Sequence, residues 1–572
     1  MEKFKKEVID LLKKEAELNE EDIILEAPPS EEMGDFAFPC FSLSKKLKKN
    51  PVEICQELGR KIQPSELISK IECKGPYLNF FLNSRTISEK ILTEINTEED
   101  FGGGKEGKKI MVEYCAPNTN KPLHLGHLRN MSIGSAVSRI LKFRGNKVIE
   151  ANLMNDRGIH ICKSMLAYKM WGKNSNPKSS KKKPDHFVGA YYVMFSQRAK
   201  GDKSLEEQAL KMLNDFEQGD KKTTVLWKKM NNWAYRGFNQ TFREFGIKFD
   251  RVYYESEFYA KGKEIVGEGL HRGIFKKDEK GAIIADLEKF GLPNKVLVRA
   301  DGTAIYITQD IALAEIKFEE HNLDNSIYVV ASEQNLHFQQ LFRILELLGH
   351  KSADKNHHLS YGLVNLPEGR MKSREGTVVD ADDLFAEMKK LAKEEIEKRH
   401  EKLNKKELAK RTNEIGIGAI KYFMLRVDPS RDMLYDPKES ISFEGETAPY
   451  IQYAHARICS ILKKYGNKSR KTKAGNEVNF GLLNKNEEIM LVKHLSKFPE
   501  IVEASSKTLK PYHIAGYAYE LAKKFNEFYH TCIVIDNTNK ELTEARILLV
   551  ECVRKILEKS LYLLGISAPK RM

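Results

Sequence analysis

The sequence His124-Leu-Gly-His127, set between two short apolar segments, constrains the fold more than any other part of this chain. Residues 110–114 and 147–151 have the composition of buried strands, and the apolar side chains between them recur at helical spacing. The pattern predicts a strand–helix–strand unit whose helix begins beside two imidazoles. Because free backbone amides and the helix dipole attract anions at that end of a helix, the unit indicates a phosphate site in an α/β domain.

Composition is typical of a large globular protein with several domains. The chain has 572 residues, 41% of them hydrophobic, and we expect three or four domains. No apolar run approaches the roughly 20 residues that cross a bilayer, and the charged N-terminus lacks a signal peptide's apolar region. Eight separated cysteines form no C-x-x-C pair, which favours a reducing cytoplasm and argues against bound zinc or another metal. The net charge of +14 weakly favours a polyanionic partner.

Changes of periodicity divide the chain into four predicted regions. Residues 1–100 form a small N-terminal domain that ends in an apolar strand. Residues 105–385 form a doubly wound α/β domain with a parallel sheet, interrupted by a helical insertion at about 170–295. Residues 386–440 are a helical connector, and residues 441–572 are a helical bundle. Within the α/β domain, strand composition returns at residues 296–298, 304–307 and 327–330.

A second charged element lies far downstream of the histidine pair. Arg370-Met-Lys-Ser-Arg-Glu-Gly376 follows an apolar segment and ends on glycine. Such a loop could supply cations to a polyphosphate, although a solvated charge run is the plainer reading of the loop alone. Two histidines at a helix end could likewise satisfy only local hydrogen bonds. Taken together and in this order, the two elements resemble the two signatures of the class I aminoacyl-tRNA synthetases.

Further blocks resemble the arginyl-tRNA synthetases within that class. Glu113-Tyr-Cys-Ala-Pro-Asn118 closely precedes Lys121-Pro-Leu-His124, as in the signature block of that family. Asp301-Gly-Thr-Ala-Ile-Tyr306 and the residues after it are similar to the substrate-side block of the family. The likeness covers nearly the whole chain and includes residues 34–36, 75–80, 332–337 and 442–457.

The resemblance implies a fold, a reaction and partners. The fold would be a Rossmann-like class I catalytic domain, an α+β N-terminal domain that contacts the tRNA elbow, and an all-α bundle that binds the anticodon. The reaction would be the ATP-dependent activation of L-arginine to arginyl-adenylate, followed by transfer to the 3′ end of tRNA(Arg). Mg²⁺ would accompany ATP, and the family implies a monomer.

The same resemblance implies roles for individual residues. Those that act on the phosphates would be His124, His127, Lys121, Arg370, Lys372 and Arg374. ATP would also lie against Gly126, Met371 and Ser373. Arginine would be bound by Glu113, Asn118, His124, Tyr306, Asp310 and Gln334, because a carboxylate matches a guanidinium bidentately. The tRNA would contact Tyr77, Asn79, Phe81, Tyr453, Arg457, Tyr529 and Met572.

Plainer alternatives stay open for single residues and for the whole chain. Glu113 could be a surface residue at a strand end, Tyr306 a core aromatic residue, and Asp310 the N-cap of a helix that starts at Ile311. The whole chain could be another class I synthetase or a catalytically inactive tRNA-binding paralogue.

The second signature also departs from the usual pattern of the family. Lys372 stands where serine is usual, and Glu375 stands where lysine is frequent. Ser373 replaces the second lysine of the loop, and the resemblance implies that Lys121, just before the histidine element, takes over its role.

Overall fold

A three-stranded antiparallel sheet forms the centre of the N-terminal region, with the strand order β1-β3-β2. The computed structural model describes residues 1–16, 18–172, 175–365, 379–399, 403–466 and 478–572. Phe38, Leu78 and Phe80 of the sheet are fully buried, as expected for an alternating apolar strand face. The elements are α1 (Glu2–Ala16), β1 (Phe36–Pro39), α2 (Phe41–Leu47), α3 (Pro51–Lys61), β2 (Ile68–Lys74), β3 (Tyr77–Leu82) and α4 (Ser84–Thr97).

The next region alternates strands and helices, and the predicted strand–helix–strand unit opens it. Its first elements are β4 (Lys109–Glu113), α5 (Leu125–Phe143), β5 (Lys147–Met154), α6 (Ile159–Trp171), α7 (Pro184–Arg198), α8 (Ser204–Glu217), α9 (Lys221–Phe245) and β6 (Arg251–Tyr254). They are followed by α10 (Glu255–His271), β7 (Lys276–Lys277), β8 (Ile283–Ala285), β9 (Lys295–Val298), α11 (Tyr306–His321), β10 (Asn325–Ala331), α12 (Asn335–Leu348), β11 (Asn356–Tyr361) and β12 (Val364–Asn365).

Five of these strands form one parallel sheet in the order β11-β10-β4-β5-β6. The chain adds β5 and β6 on one side of β4 and later adds β10 and β11 on the other side. The direction of winding therefore reverses at β4. In such sheets, ligands bind in the crevice beyond the carboxyl ends of the strands at the reversal. The predicted Rossmann-like parallel sheet is confirmed.

The insertion differs from the sequence expectation. The helical insertion predicted at about 170–295 is wrong beyond α9, because β6 pairs with β5 as the edge strand of the main sheet. Farther on, β7, β8 and β9 form a separate antiparallel sheet, so the strand predicted at 296–298 exists but lies outside the main sheet. These strands have two to four residues, too few to establish a period in the sequence.

The strand predicted at 304–307 is wrong. Tyr306 begins α11, and Ala304 makes only an isolated bridge to Val298. Ile307, Ile311 and residues farther along α11 are buried at helical spacing. Packing of that helical face overrides the strand composition of the four residues.

Helices dominate the last region, as predicted. Its elements are α13 (Ala381–Arg399), α14 (Lys405–Leu425), β13 (Met433–Leu434), α15 (Pro437–Ser440), α16 (Ala448–Tyr465), α17 (Asn486–Leu495), α18 (Phe498–Thr508), α19 (Tyr512–Thr531) and α20 (Lys540–Leu563). The largest apolar core is continuous from the N-terminal sheet through α5 to these helices. Among the described helices, none is long and apolar enough to cross a membrane.

The close approach of α5 to β4 provides a test of the packing. A Cβ added at Gly134 would lie 2.3 Å from Cγ of the buried Tyr114. We therefore expect Gly134→Ala to overpack this contact, to destabilise the fold by roughly 1–3 kcal/mol, and to lower the midpoint of thermal unfolding.

The matched control is Gly516→Ala in α19, where an added Cβ meets no atom within 4 Å. It should leave the midpoint unchanged or raise it, because alanine favours a helix over glycine by about 1 kcal/mol. Equal midpoints for the two variants would contradict the packing described here.

Candidate active site

A cavity of about 500 Å³ opens at the carboxyl ends of β4, β5 and β10, where the winding of the sheet reverses. Ten of its twelve lining residues have polar side chains. The side chains that line it are Asn118, Asn120, Lys121, Asn155, His160, Tyr192, Tyr306, Asp310, Val330, Gln334, His337 and Phe338. The structure thus brings together Lys121, Asn118, Tyr306, Asp310 and Gln334, five residues singled out from the sequence.

The chain leaves β4 through a strained turn. Cys115 and Ala116 have φ values of 81° and 46°, a region that residues with a side chain seldom adopt. The side-chain amides of Asn130 and Asn152 accept hydrogen bonds from the two backbone amides. Strain of this kind persists only where surrounding contacts over-determine it, and it is concentrated at functional sites. Here it directs the chain toward Asn118 and the cavity.

The two histidines lie against each other at the start of α5, with ring centroids 3.9 Å apart. Nδ1 of His124 accepts a hydrogen bond from the Gly126 amide at 3.2 Å, and Nδ1 of His127 accepts one from the His124 amide at 3.1 Å. Since a neutral imidazole has one donor and one acceptor nitrogen, both rings carry their proton on Nε2. Each ring therefore keeps one N–H donor, on Nε2.

Burial keeps these imidazoles neutral. It lowers the pKa of His124 to about 3, and the nearby Lys121 lowers it further. Burial, then His124 and Lys121, hold the pKa of His127 well below its usual value. Burial also lowers the pKa of Lys121 itself. The site therefore combines neutral hydrogen-bond donors with one cation, which suits an anion that gains charge during a reaction.

Asp310 supplies a carboxylate to the cavity. It lies in the second turn of α11, so the N-cap alternative is wrong. Its Oδ2 accepts a hydrogen bond from Nε2 of His337 on α12 at 2.8 Å. Tyr306, at the start of α11, is 57% exposed, which excludes the alternative of a core aromatic residue. Gln334 ends a short 3-10 turn just before α12.

Glu113 occupies a different environment from the one predicted. Its side chain is buried, and its Oε2 lies 2.7 Å from Nζ of Lys317, a fully buried residue of α11. Lys317 also lies 4.0 Å from the ring centroid of Tyr328. Glu113 is not among the residues that line the cavity, and it is not the surface residue of the alternative either. The carboxylate of Glu113 forms a buried ion pair with Lys317.

The backbone beside His124 pairs with a distant segment. The Leu125 amide donates to the carbonyl of Val379, and the Ala381 amide donates to the carbonyl of Leu123, each at 3.0 Å. An isolated antiparallel bridge joins His124 to Asp380. The predicted second-signature residues, Arg370, Met371, Lys372, Ser373 and Arg374, lie outside the described residues.

The candidate RNA-contacting residues of the N-terminal region all lie on β3. Asn79 is buried, whereas Tyr77 and Phe81 are half-buried. Tyr77 packs edge-on against Phe41 with ring centroids 5.7 Å apart, and Nζ of Lys70 lies 5.0 Å from the Phe81 ring centroid. Two aromatic rings thus lie at the margin of this face, with a cation over one of them.

The candidates in the helical bundle form one aromatic and basic cluster. The guanidinium of Arg457 lies 4.8 Å from the Tyr453 ring centroid and 5.1 Å from the Tyr529 ring centroid. Its Nη1 donates to Asn526 Oδ1 at 2.7 Å. The two tyrosines are 38% and 40% exposed, so Tyr453 is not a core residue. Met572 packs against the main core.

Family models match three consecutive parts of the chain. The catalytic domain of class I (R) tRNA synthetases matches residues 90–436. The N-terminal domain of arginyl-tRNA synthetases matches residues 2–82, and the DALR anticodon-binding domain matches residues 451–572. The chain belongs to the arginyl-tRNA synthetase family. The alternative of another class I synthetase is thereby excluded at the level of family.

Individual relatives agree with this assignment. An arginine–tRNA ligase of Treponema denticola is 44% identical over 95% of this chain and 94% of its own. One from Parabacteroides distasonis is 40% identical over 97% of both chains. The solved structure of Thermus thermophilus arginyl-tRNA synthetase matches with a TM-score of 0.80 and 26% identity, over 99% of this chain and 98% of that one.

Sequence reasoning missed several residues of this site. His160 and Tyr192 come from α6 and α7, and their rings contact each other across the two helices. Tyr192 lies in no signature block that could have identified it. His337 could have been predicted from the sequence, because it lies three residues after Gln334 at the start of a helical pattern.

The neutral state of His127 predicts how stability depends on pH. The unfolded imidazole takes up a proton near pH 6.5, whereas the folded one stays neutral because its pKa is depressed. Its contribution to stability is therefore present above pH 6.5 and is lost as the pH falls. At pH 5.5 the loss should be about 1.4 kcal/mol relative to pH 7.5.

His127→Asn keeps a hydrogen-bond acceptor near the Nδ1 position but cannot take up a proton. Its thermal midpoint should therefore fall less than that of the wild type between pH 7.5 and pH 5.5. A His127 imidazole resonance that titrates between pH 6 and pH 7 in the folded wild type would contradict the neutral state.

Proposed function

We propose that this protein is an active arginyl-tRNA synthetase, which activates L-arginine with ATP and transfers it to the 3′ end of tRNA(Arg). The observation that carries the proposal is the cavity at the sheet reversal, which Lys121 and Asp310 line, with the histidine pair three residues after Lys121 at the start of α5. We propose further that it acts in the cytoplasm as a monomer and that Mg²⁺ enters with ATP.

The first step joins the carboxylate of arginine to the α-phosphate of ATP and releases pyrophosphate. Negative charge gathers on the phosphate oxygens during this transfer, so donors aimed at them stabilise the transition state more than the ground state. The Nε2–H groups of His124 and His127 are such donors, and Lys121 adds a cation. A Cβ at Gly126 would lie 3.1 Å from the His124 ring, so glycine keeps the imidazole unobstructed for the nucleotide.

Arginine is selected in this proposal by the half-buried carboxylate of Asp310. A guanidinium offers planar pairs of donors that match a carboxylate, and the ammonium of lysine does not. Tyr306 and Gln334 line the same cavity and can accept hydrogen bonds from the remaining N–H groups of the guanidinium. Asn118 also lines it and can bind the α-amino or carboxylate group of the substrate arginine. Glu113 supports the pocket only indirectly, because Lys317 already pairs with it.

Each of the four regions of the chain has its own role in this proposal. Residues 1–100 contact the tRNA elbow through Tyr77 and Phe81 at the margin of β3, whereas the expected contact of Asn79 is wrong because that side chain is buried. The α/β region of residues 105–385 holds ATP and arginine, and residues 386–440 connect it to the bundle. In residues 441–572, Tyr453, Arg457 and Tyr529 offer the stacking surface and cation that single-stranded RNA bases require. Met572 lies in the same bundle.

The decisive experiment is aminoacylation of total tRNA with ATP-Mg²⁺ and each amino acid in turn. We expect arginine alone to be charged. Charging with another amino acid would overturn the specificity, and no charging with any amino acid would indicate an inactive tRNA-binding paralogue.

Asp310→Asn tests the pocket within that assay. Losing one charge-assisted pair should lower kcat/KM for arginine roughly 10- to 100-fold, while the KM for ATP stays unchanged. The matched control, Glu319→Gln, removes an exposed carboxylate from the same helix and should behave like the wild type. Near-normal arginylation by Asp310→Asn would show that another group binds the guanidinium.

Tyr529→Ala tests the stacking surface of the bundle. Loss of one stacked base should weaken tRNA binding by about 1–3 kcal/mol and raise the KM for tRNA without changing that for arginine. Tyr562→Ala, which removes an exposed tyrosine elsewhere in the bundle, is the control. An unchanged KM for tRNA in Tyr529→Ala would remove this cluster from the proposed interface.

A further inference from the structure

A cluster of charged side chains joins the insertion helices to the segment that pairs with His124. It consists of Lys183, His186, Asp380 and Asp382, and we call it the docking cluster. Nζ of Lys183 lies 2.5 Å from Oδ2 of Asp382. Nε2 of His186 lies 2.7 Å from that oxygen and 3.4 Å from Oδ1 of Asp380. Two cations and two anions thus meet between α7 and the start of α13.

The cluster is an ion-pair network and not a metal centre. Ligand atoms of Asp185, His186 and Asp382 lie within 4.8 Å of one another, which is close enough to hold a metal ion. The ammonium of Lys183 lies among them, 3.3 Å from Asp185 as well, and supplies the positive charge. The second oxygen of Asp185 faces Gly237 of α9, where a Cβ would lie 2.2 Å from it. Asp185 therefore lies at the contact between α7 and α9, where glycine leaves room for its carboxylate.

The surroundings of the docking cluster favour its charged form. Burial opposes the charge on His186, but hydrogen bonds to Asp380 and Asp382 raise its pKa to about 10. Burial opposes the charge on Asp382 as well, but His186 and Lys183 hold its pKa below the usual value. The hydroxyl of Thr241, on α9, donates to the other oxygen of Asp382 at 3.2 Å. Both oxygens of this carboxylate are thus bound by the insertion.

The same helix touches the chain just before the histidine element. A Cβ added at Gly189 of α7 would lie 2.7 Å from Cδ of Pro122 and 3.5 Å from Cα of Lys121. The glycine therefore lets α7 lie directly on these two residues. Through the docking cluster, α7 also fixes residues 379–381, whose backbone pairs on either side of His124.

We propose that Asp382 is a positioning residue for the reaction at His124, and that Lys183 and His186 hold it there from the insertion. The proposal rests on the proposed synthetase function. Asp382 is not among the residues that line the cavity. The backbone amide of Asp382 donates to Oδ1 of Asp380 at 2.8 Å. Asp382, which the insertion binds, and Asp380, which bridges to His124, therefore belong to one rigid turn. Loss of the ion pair frees that turn, and with it the backbone that orients the imidazole.

Such a displacement should change the rate more than the binding of substrates. A misplacement of about 1 Å at a reacting group can reduce a rate by roughly 100-fold, whereas the cavity wall formed by Asp310 and Tyr306 belongs to α11. We expect Asp382→Asn to lower kcat for arginylation roughly 10- to 100-fold, with the KM values for ATP, arginine and tRNA within about twofold of the wild type.

Two matched controls separate this role from a general loss of charge. Asp383→Asn removes the neighbouring carboxylate, which is exposed, and should keep the wild-type kcat. Lys183→Met should reproduce the loss, whereas Lys182→Met, at the exposed preceding lysine, should not. The thermal midpoint of each variant reports whether the fold is intact, and Lys183→Met serves if Asp382→Asn does not fold.

The double variant Lys183→Met/Asp382→Asn tests whether the two side chains act as one unit. Partners in one ion pair give non-additive effects, so the double variant should be no slower than the slower single variant. The proposal is overturned if Asp382→Asn and Asp383→Asn have equal kcat, if the effect is on KM, or if activity falls only in proportion to folded protein. Failure of the wild type to charge arginine would instead overturn the proposed function.

Discussion

The position of β4 at the centre of the parallel sheet is the constraint on which the site depends. Parallel strands require crossover connections, and here the crossovers proceed first to one side of β4 and then to the other. The two crossovers therefore lie on opposite sides of the end of β4, and the chain leaves this strand through the strained turn at Cys115 and Ala116. That turn and the start of α5 form the wall of one crevice. The polar residues of the site come from chain segments up to 220 positions apart because the sheet brings its strand ends together.

Helix α5, which begins at the histidine pair, connects the sheet to the C-terminal helices. Nearly all of its residues are buried, since it packs against the sheet on one side and the C-terminal helices on the other. Arg129, two residues after His127, is fully buried and donates to the carbonyls of Leu363, Pro429 and Arg431. A helix held on all sides can keep two imidazoles in one orientation, whereas a surface helix could not.

Sequence patterns predicted the parts of the fold that have a long period. The strand–helix–strand unit around His124 was recognisable because α5 has 19 residues of regular pattern. Strands of two to four residues, such as β6, and the helical start at Tyr306 depend on tertiary packing that no short window contains. Within the site, residues in signature blocks were predictable, Asp310 among them. The pairing of Glu113 with Lys317 was not, because the partner lies 204 positions away and its ammonium is buried only in the folded chain.

The burial of each carboxylate decides which one is open to a cationic substrate. The carboxylate of Glu113 is shielded from solvent, and its Oε2 lies 2.7 Å from the buried ammonium of Lys317. A guanidinium could reach it only by separating that pair, and a buried charge left without its partner costs several kcal/mol. Asp310 keeps part of its exposure, and one of its oxygens receives a hydrogen bond from His337. Asp310 also lines the cavity. The two carboxylates resemble each other in the sequence, but only Asp310 can receive a new cation without breaking an existing ion pair.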